Sequence, residues 1–379
     1  MKRTVCIFMV VAALVCLLPV GARAVEVAGK SALLMDVTTG TVLYAKNEHE
    51  KLHPASVTKV MTMLLIMEAI DSGALHWTDT VTASATAAAK GGSQIYLKEN
   101  ETMTVEDMVK SIAVSSANDC ACAMAEHLAG SEAAFVEKMN ERAAQLGMED
   151  THFVNCTGLD DSQEAKAHLT SAHDIAIMSR QLLKFHPDIK RFTTIWMDTV
   201  RDGAFGLSNT NKLVRFYSGA TGLKTGFTAA AGYCLSASAL RDGMELVAVV
   251  MGCDSSKERF DACRQLLDHG FATYTLAQPK LEAPLTVSVE LGQSDSVQAV
   301  PGNEDALLID KSHKASLATD ITLDDGVKAP VSKGQRLGTM TLRAGQQVLV
   351  QVPLVAAEAV PRLTYGQIFL RMLKKLCLG

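Results

Sequence analysis

Apolar positions between residue 28 and about residue 276 follow two alternating periods. Ser31 to Asp36 and Thr41 to Tyr44 read as strands joined at Thr38-Thr39-Gly40. From about Ser56 to Ile70 the chain is apolar on nearly every helical face, with Val57, Val60, Met61, Met63, Leu64, Leu65, Ile66 and Met67 around two charges, Lys59 and Glu68. Such a pattern predicts a buried helix. Thr104 with Glu106 and Asp107 opens a second helix, and Ser131 caps a third that ends near Leu146-Gly147. A fourth runs from Ser171 to Lys184, ahead of Pro187. Gly232 to Ala239 and Glu245 to Gly252 form a hairpin across Asp242-Gly243, and Ser256 to His269 returns to helix. After about Gln278 the texture changes. Leu285 to Leu291, Ala306 to Ile309, Ala318 to Leu323, Gly338 to Leu342 and Gln347 to Val352 are short strand-like runs, with no helical pattern until Thr364. The expected class is α/β (α+β) over residues 25–277, then a small all-β domain over 278–362 and a terminal helix over 363–379.

The two ends differ from the body. Lys2 and Arg3, the apolar run Val5 to Val20 and Ala22-Arg23-Ala24 read as a signal peptide over residues 1–24, so the mature chain is expected to start near Val25. The alternative is an uncleaved anchor, against which stands a run short of the ~20 residues that span a bilayer. In the tail, Tyr365, Ile368, Phe369, Leu370, Met372, Leu373, Leu376, Cys377 and Leu378 fall mostly at helical spacing, with Arg371, Lys374 and Lys375 on another side. Its sixteen residues make ~24 Å of helix, too short to cross a membrane but suited to lying in an anionic interface. Docking on its own domain is the other reading. Exported and peripheral on the outer face of the cytoplasmic membrane is the placement these ends predict.

Composition narrows the picture. The 379 residues are 48% apolar and 20% charged, as in globular chains. The net charge of -5 falls to -8 once Lys2, Arg3 and Arg23 leave with residues 1–24, and gives no footprint for nucleic acid. Of nine cysteines, Cys120, Cys122, Cys156, Cys234, Cys253, Cys263 and Cys377 lie beyond the leader, odd in number and scattered. They read as small buried thiols rather than a disulfide framework. Neither metal-ligand spacing nor a cofactor motif appears, so no metal and no cofactor are expected.

Chemistry concentrates in three places. In Pro54-Ala55-Ser56-Val57-Thr58-Lys59 a helix starting near Ser56 puts Lys59 on the same face one turn later. A lysine in apolar company loses basicity, and a neutral amine can take a serine proton. Read alone, the pair is equally a capping serine with a snorkelling lysine. Ser115-Ser116-Ala117-Asn118-Asp119 lies between two helical patterns, where Ser116 and Asn118 either face a cleft or cap the next helix. Lys224-Thr225-Gly226-Phe227-Thr228 precedes the hairpin, its glycine leaving room for a substrate backbone or merely turning the chain.

Taken in order, S-x-x-K, S-x-N and K-T-G, the sequence resembles the penicillin-binding and serine β-lactamase superfamily. It is most similar to the D-alanyl-D-alanine carboxypeptidases among the low-molecular-mass penicillin-binding proteins. The likeness extends to Gly91-Gly92-Ser93-Gln94-Ile95-Tyr96-Leu97, His168-Leu169-Thr170-Ser171, Asn209-Thr210-Asn211-Lys212-Leu213, the β-rich C-terminal part and the tail. The resemblance implies a domain with an antiparallel sheet flanked by helices. It also implies a serine peptidase that removes the last D-alanine from a peptidoglycan stem peptide ending in D-Ala-D-Ala, and that β-lactams acylate. Ser56 would be the nucleophile, Lys59 the general base and Ser116 the proton relay. Asn118 would hold Lys59 and the substrate amide. Lys224 and Thr225 would bind near the terminal carboxylate, with Gly226 beside them, and the amides of Ser56 and Phe227 would form the oxyanion hole. Arg259 aligns with a carboxylate-binding arginine, or is a surface helix residue. Phe227 departs from the pattern, since many relatives carry His or Tyr there. His53, the histidine nearest Ser56 in sequence, reads as a surface residue. A β-lactamase and a non-catalytic wall-binding protein are the rival readings. The second domain and basic tail speak against the first, the intact motifs against the second.

Overall fold

The computed structural model describes residues 25–303 and 305–378; the expected leader lies outside them. In chain order its main elements are strands β1 (Ser31–Asp36) and β2 (Val42–Lys46), a 3₁₀ turn at Ala55–Thr58, and helix α1 (Lys59–Asp71). Helices α2 (Val105–Ser115), α3 (Asn118–Ala129), α4 (Glu132–Gln145) and α5 (Ala172–Phe185) come next. Strands β3 (Ala220–Thr228), β4 (Gly232–Arg241) and β5 (Met244–Cys253) lead into helix α6 (Ser256–Thr273).

The five strands form one antiparallel sheet in the order β2-β1-β5-β4-β3, which leaves β3 on an edge. Strand alternation deals its side chains to two cores. Leu33 and Met35 of β1, with Val247, Val249 and Met251 of β5, join the core of α1, α2, α3 and α5. Ala32, Leu34, Leu246, Ala248 and Val250 pack instead on Phe260, Cys263, Leu266, Leu267 and Phe271 of α6. Both faces are covered, which explains why β5 reads as a continuous apolar run. The expected caps are present: Thr104, Ser131 and Ser171 each accept from the backbone N–H three residues on.

A second antiparallel sheet, ordered β6-β7-β10-β9-β8, joins β6 (Leu285–Ser288), β7 (Ser296–Pro301), β8 (Leu317–Leu323), β9 (Arg336–Ala344) and β10 (Gln347–Ala356). Val297, Ala299, Leu337, Met340 and Leu354 fill its small core. Strand β7 matches none of the runs expected from the sequence; it follows the turn residues Gln293-Ser294-Asp295 and ends at Pro301. The expected strand at Ala306 to Ile309 is Leu307–Asp310, and it pairs with Tyr274–Ala277 directly after α6.

The last element is α7 (Tyr365–Leu378). Arg371 Nη1 reaches Asp295 at 2.6 Å, yet Tyr365 is 94% exposed and Leu376 82%, and Phe369, Leu370 and Met372 also face outward. No helix among the described residues is long and apolar enough to cross a membrane.

Candidate active site

Ser56 sits in a 3₁₀ turn, not in the first turn of the α-helix as expected. With three residues per turn, positions i and i+3 eclipse, which aligns Ser56 with Lys59 more closely than an α-helix would. Lys59 Nζ donates to Ser56 Oγ at 2.9 Å and to the Thr157 carbonyl at 2.8 Å. Ser56 is half-buried, whereas Lys59 has no exposed surface. Burial pulls the Lys59 amine down to about 7, against a weaker pull upward from Cys156 and Asp119. A carbonyl fixes the amine without neutralising its charge, so the lone pair is available near neutral pH.

The loop over residues 154–168 holds the Ser56 turn. Ala55 carries φ +48°, strained for an L-residue. A Cβ on Gly158 (φ +80°) would lie 1.8 Å from the Ala55 carbonyl oxygen, so only glycine fits this approach. Asn155 shapes the same loop by accepting from the Thr157 and Gly158 amides. Thr58 Oγ1 donates to Ala55 O and meets His168 Nε2 at 2.8 Å, while the Val154 amide donates to His168 Nδ1. An accepting Nδ1 fixes a neutral ring protonated on Nε2. Burial first, then His53, His152 and Lys59, depress His168 to about 3. His53 is not the surface residue the sequence suggested. It is half-buried, and its Nδ1 lies 3.0 Å from the His168 carbonyl.

The second motif closes α2 and opens α3. Ser116 adopts a left-handed backbone, φ +63°, and its buried hydroxyl has no hydrogen-bond partner among the described residues. Asn118 begins α3. Its side-chain Nδ2 donates to Gly91 O at 2.7 Å, not to Lys59, and its Oδ1 is buried without a partner among the described residues. Gly92 packs between Asn118 Nδ2 and Leu159, which links this motif to the loop beneath Ser56. Unpaired buried polar atoms are uncommon in folded proteins, and two of them fall within three residues here.

The third motif lies on the edge strand. Lys224 is fully buried, its Nζ donates to Thr225 O at 3.0 Å, and burial, Lys59 and Arg259 hold its pKa well below that of free lysine. Thr225 donates to Thr210 Oγ1 at 2.7 Å. A Cβ on Gly226 would lie 2.5 Å from Pro54 O and 3.1 Å from the Val57 amide, so this glycine lets β3 lie directly on the Ser56 turn. Phe227 is 54% exposed and stacks on Tyr233 with ring centroids 4.3 Å apart. Arg259 is buried rather than a surface helix residue, and its Nη1 donates to Gly226 O and Cys234 O. Thus Arg259 braces Gly226 from α6, a contact 33 residues distant in sequence.

The site brings together a serine hydroxyl, a desolvated amine, two unpaired polar side chains and, on the edge strand, Lys224 backed by Arg259. Such a set suits acyl transfer from a substrate with a terminal anion. Thr157, Asn155 and Gly158 were not read from the sequence. The signal available was Asn155 and Gly158 around a threonine, indistinguishable from an ordinary turn.

Comparison with known proteins gives the same picture. A family model described as D-alanyl-D-alanine carboxypeptidase matches residues 19–255, and one described as penicillin-binding protein 5, C-terminal domain, matches 271–362. The chain is 43% identical over 347 residues to the D-alanyl-D-alanine carboxypeptidase DacF of Bacillus subtilis (strain 168), covering 89% of this chain and 88% of that protein. Among solved structures, penicillin binding protein 5 from Haemophilus influenzae superposes with a TM-score of 0.75 at 29% identity, covering 90% of this chain and 100% of that one. Penicillin-binding protein D2 from Listeria monocytogenes, in its ampicillin-bound form, gives a TM-score of 0.60 at 31% identity over 65% of this chain and 99% of that one.

Proposed function

Because the chain belongs to the D-alanyl-D-alanine carboxypeptidase family, a family of serine peptidases, we propose that Ser56 is the nucleophile that removes the last D-alanine from the stem peptide of peptidoglycan. The observation that carries this reading is the 2.9 Å contact between Ser56 Oγ and a fully buried Lys59 amine whose pKa lies near 7. Neutral Lys59 takes the Ser56 proton as Oγ attacks the carbonyl between the two D-alanines. The amides of Ser56 and Phe227 receive the oxyanion. As the C–N bond breaks, the proton passes through Ser116 to the departing amine, leaving an ester on Ser56. Water then attacks the ester, and Lys59 again accepts a proton. Lys224 and Thr225 hold the terminal carboxylate, Asn118 Oδ1 meets a substrate amide, and Arg259 acts through Gly226 by keeping the strand in place. A β-lactam follows the same path and stops at the ester. Phe227 offers no acid or base to the second half-reaction, so hydrolysis depends on Lys59 and Ser116.

Two parts of the proposal concern placement. Residues 1–24 direct export to the wall side of the membrane, and α7 lies in the interface with its apolar side chains in lipid.

The test uses labelled penicillin and a defined pentapeptide. Wild type should take up one label per chain and release free D-alanine, and Ser56→Ala should do neither. Equal labelling of the two proteins would place the covalent chemistry elsewhere, and rapid lactam turnover without D-alanine release would make the protein a β-lactamase.

A further inference from the structure

A pocket on the loop that follows Ser93 shares no lining residue with the Ser56 site and takes no part in the proposed acyl transfer. Ile95, Tyr96, Lys98, Glu101, Arg201 and Phe205 line a cavity of about 440 Å³. Tyr96 is 67% exposed, and its backbone is left-handed at φ +60°, a region a bulky residue occupies only under constraint. The constraint is a clamp from two sides. Below, the amides of Ile95 and Leu97 both donate to Asp119 Oδ2, at 3.1 and 3.0 Å. Above, Arg201 Nη1 donates to Ile95 O at 2.8 Å and Nη2 to Tyr96 O at 3.4 Å. Asp119 is wholly buried and follows Asn118, whose own amide donates to Ser93 O. A strained residue held this firmly usually serves a purpose, and burying the ring is not that purpose here. The ring stands in solvent against Phe205, with centroids 6.3 Å apart at 64°, and the Arg201 guanidinium lies 5.4 Å over Phe205.

We propose that this pocket binds a pyranose ring of the glycan strand that carries the stem peptide. The proposal rests on the reading of Ser56 above for its polymeric substrate. A pyranose has an apolar C–H face and a rim of hydroxyl and amide groups. Tyr96 and Phe205 supply a surface for the first, and Lys98, Glu101 and Arg201 supply donors and acceptors for the second. Arg201 and Glu101 already compensate each other at 2.6 Å, which leaves Lys98 as the one lining charge without an ion pair among the described residues. Ser93, three residues before Tyr96, caps α3 at Asn118, so the pocket is within ~10 Å of chain from the catalytic motif.

Binding is measured first, without turnover. Peptide-free oligomers of N-acetylglucosamine are titrated into the full chain by calorimetry. Wild type and Tyr96→Phe should bind, and Tyr96→Ala and Phe205→Ala should lose about tenfold in affinity. D-Alanine release is then compared on a free pentapeptide and on the same peptide attached to polymeric glycan. Both alanine variants should stay within about twofold of wild type on the free peptide, and show a KM about tenfold higher at unchanged kcat on the polymer. Phe205 lies in the strand pair Met197–Val200 with Phe205–Ser208 and not in the strained loop, so its variant keeps the test sound where Tyr96→Ala disturbs folding. Absence of oligomer binding by wild type overturns the proposal, as does equal binding by the alanine variants. So does an equal loss on free and polymeric substrates, which would mark a peptide subsite or a support for α3. Failure of the proposed carboxypeptidase activity would instead show as no D-alanine release by wild type from either substrate, with oligomer binding intact.

Discussion

At the scale of the residue, Lys59 sets the terms. Its amine is buried beside Thr157 O and Ser56 Oγ, and its pKa near 7 lies well below the 10.5 of free lysine. A base depressed in the folded state adds stability as it neutralises, so this contribution is full above pH 10.5 and is lost as pH falls through 7. Holding the amine unprotonated at pH 8 costs about 3 kcal/mol at ~1.4 kcal/mol per unit. Lys59→Met should therefore raise stability at pH 8 by about 1–3 kcal/mol in urea unfolding, once the lost hydrogen bonds are discounted, while slowing penicillin acylation by at least ~10³-fold. The same pKa predicts that the wild-type acylation rate constant rises with pH and is half-maximal near 7. A flat profile between pH 5.5 and 9 would remove Lys59 as the base. Gly226 gives the steric counterpart. Gly226→Ala forces a methyl group against Pro54 O, and the separation of β3 from the Ser56 turn should cut kcat/KM for D-alanine release by about 10²-fold.

At the scale of the element, the Ser56 turn is held by a loop roughly a hundred residues away in sequence. Thr58, Ala55 O, His168 Nε2 and the Val154 amide form one chain of hydrogen bonds that requires neutral His168. Its pKa near 3 lies below the 6.5 of free histidine, so stability is lost as pH falls from 6.5 toward 3, by about 2–3 kcal/mol at pH 4.5. Urea unfolding at pH 7 and pH 4.5 should show this loss in wild type and about 2–3 kcal/mol less of it in His168→Gln; equal losses would mean the ring is not the titrating group. These contacts also mark what could be read beforehand. Helices α2, α4 and α5 were legible because Thr104, Ser131 and Ser171 cap them within three residues. Ser56 and Lys59 were legible as a pair because they share one turn. Thr157, Gly158 and the brace from Arg259 to Gly226 were not, because each depends on a partner 33 to 103 residues away that no local pattern encodes. The hairpin Met197–Ser208 and the short pair Thr80–Thr82 with Thr102–Thr104 escaped for a related reason: each strand has only three or four residues, too few for alternation to register.

At the scale of the molecule, the catalytic sheet is followed by a second sheet and then by α7, whose apolar side chains have almost nothing of this chain to cover them. If α7 lies in a membrane interface, deleting residues 364–379 should release the protein from anionic vesicles in a flotation assay and leave activity on soluble peptide within about twofold. Retention of the truncated form would refute the interfacial role. Six thiols, Cys120, Cys122, Cys156, Cys234, Cys253 and Cys263, are buried and free, and burial pushes those of Cys120 and Cys263 well above the usual range. Their safety is a property of the finished fold alone. While the chain is still unfolded, every one is open to oxidation, and a cross-link between thiols that lie apart in the native packing would block it. In an oxidising surrounding, acquisition of the native state becomes a race between collapse of the two cores and sulfur chemistry, so the speed of folding governs the yield of active molecules as much as stability does.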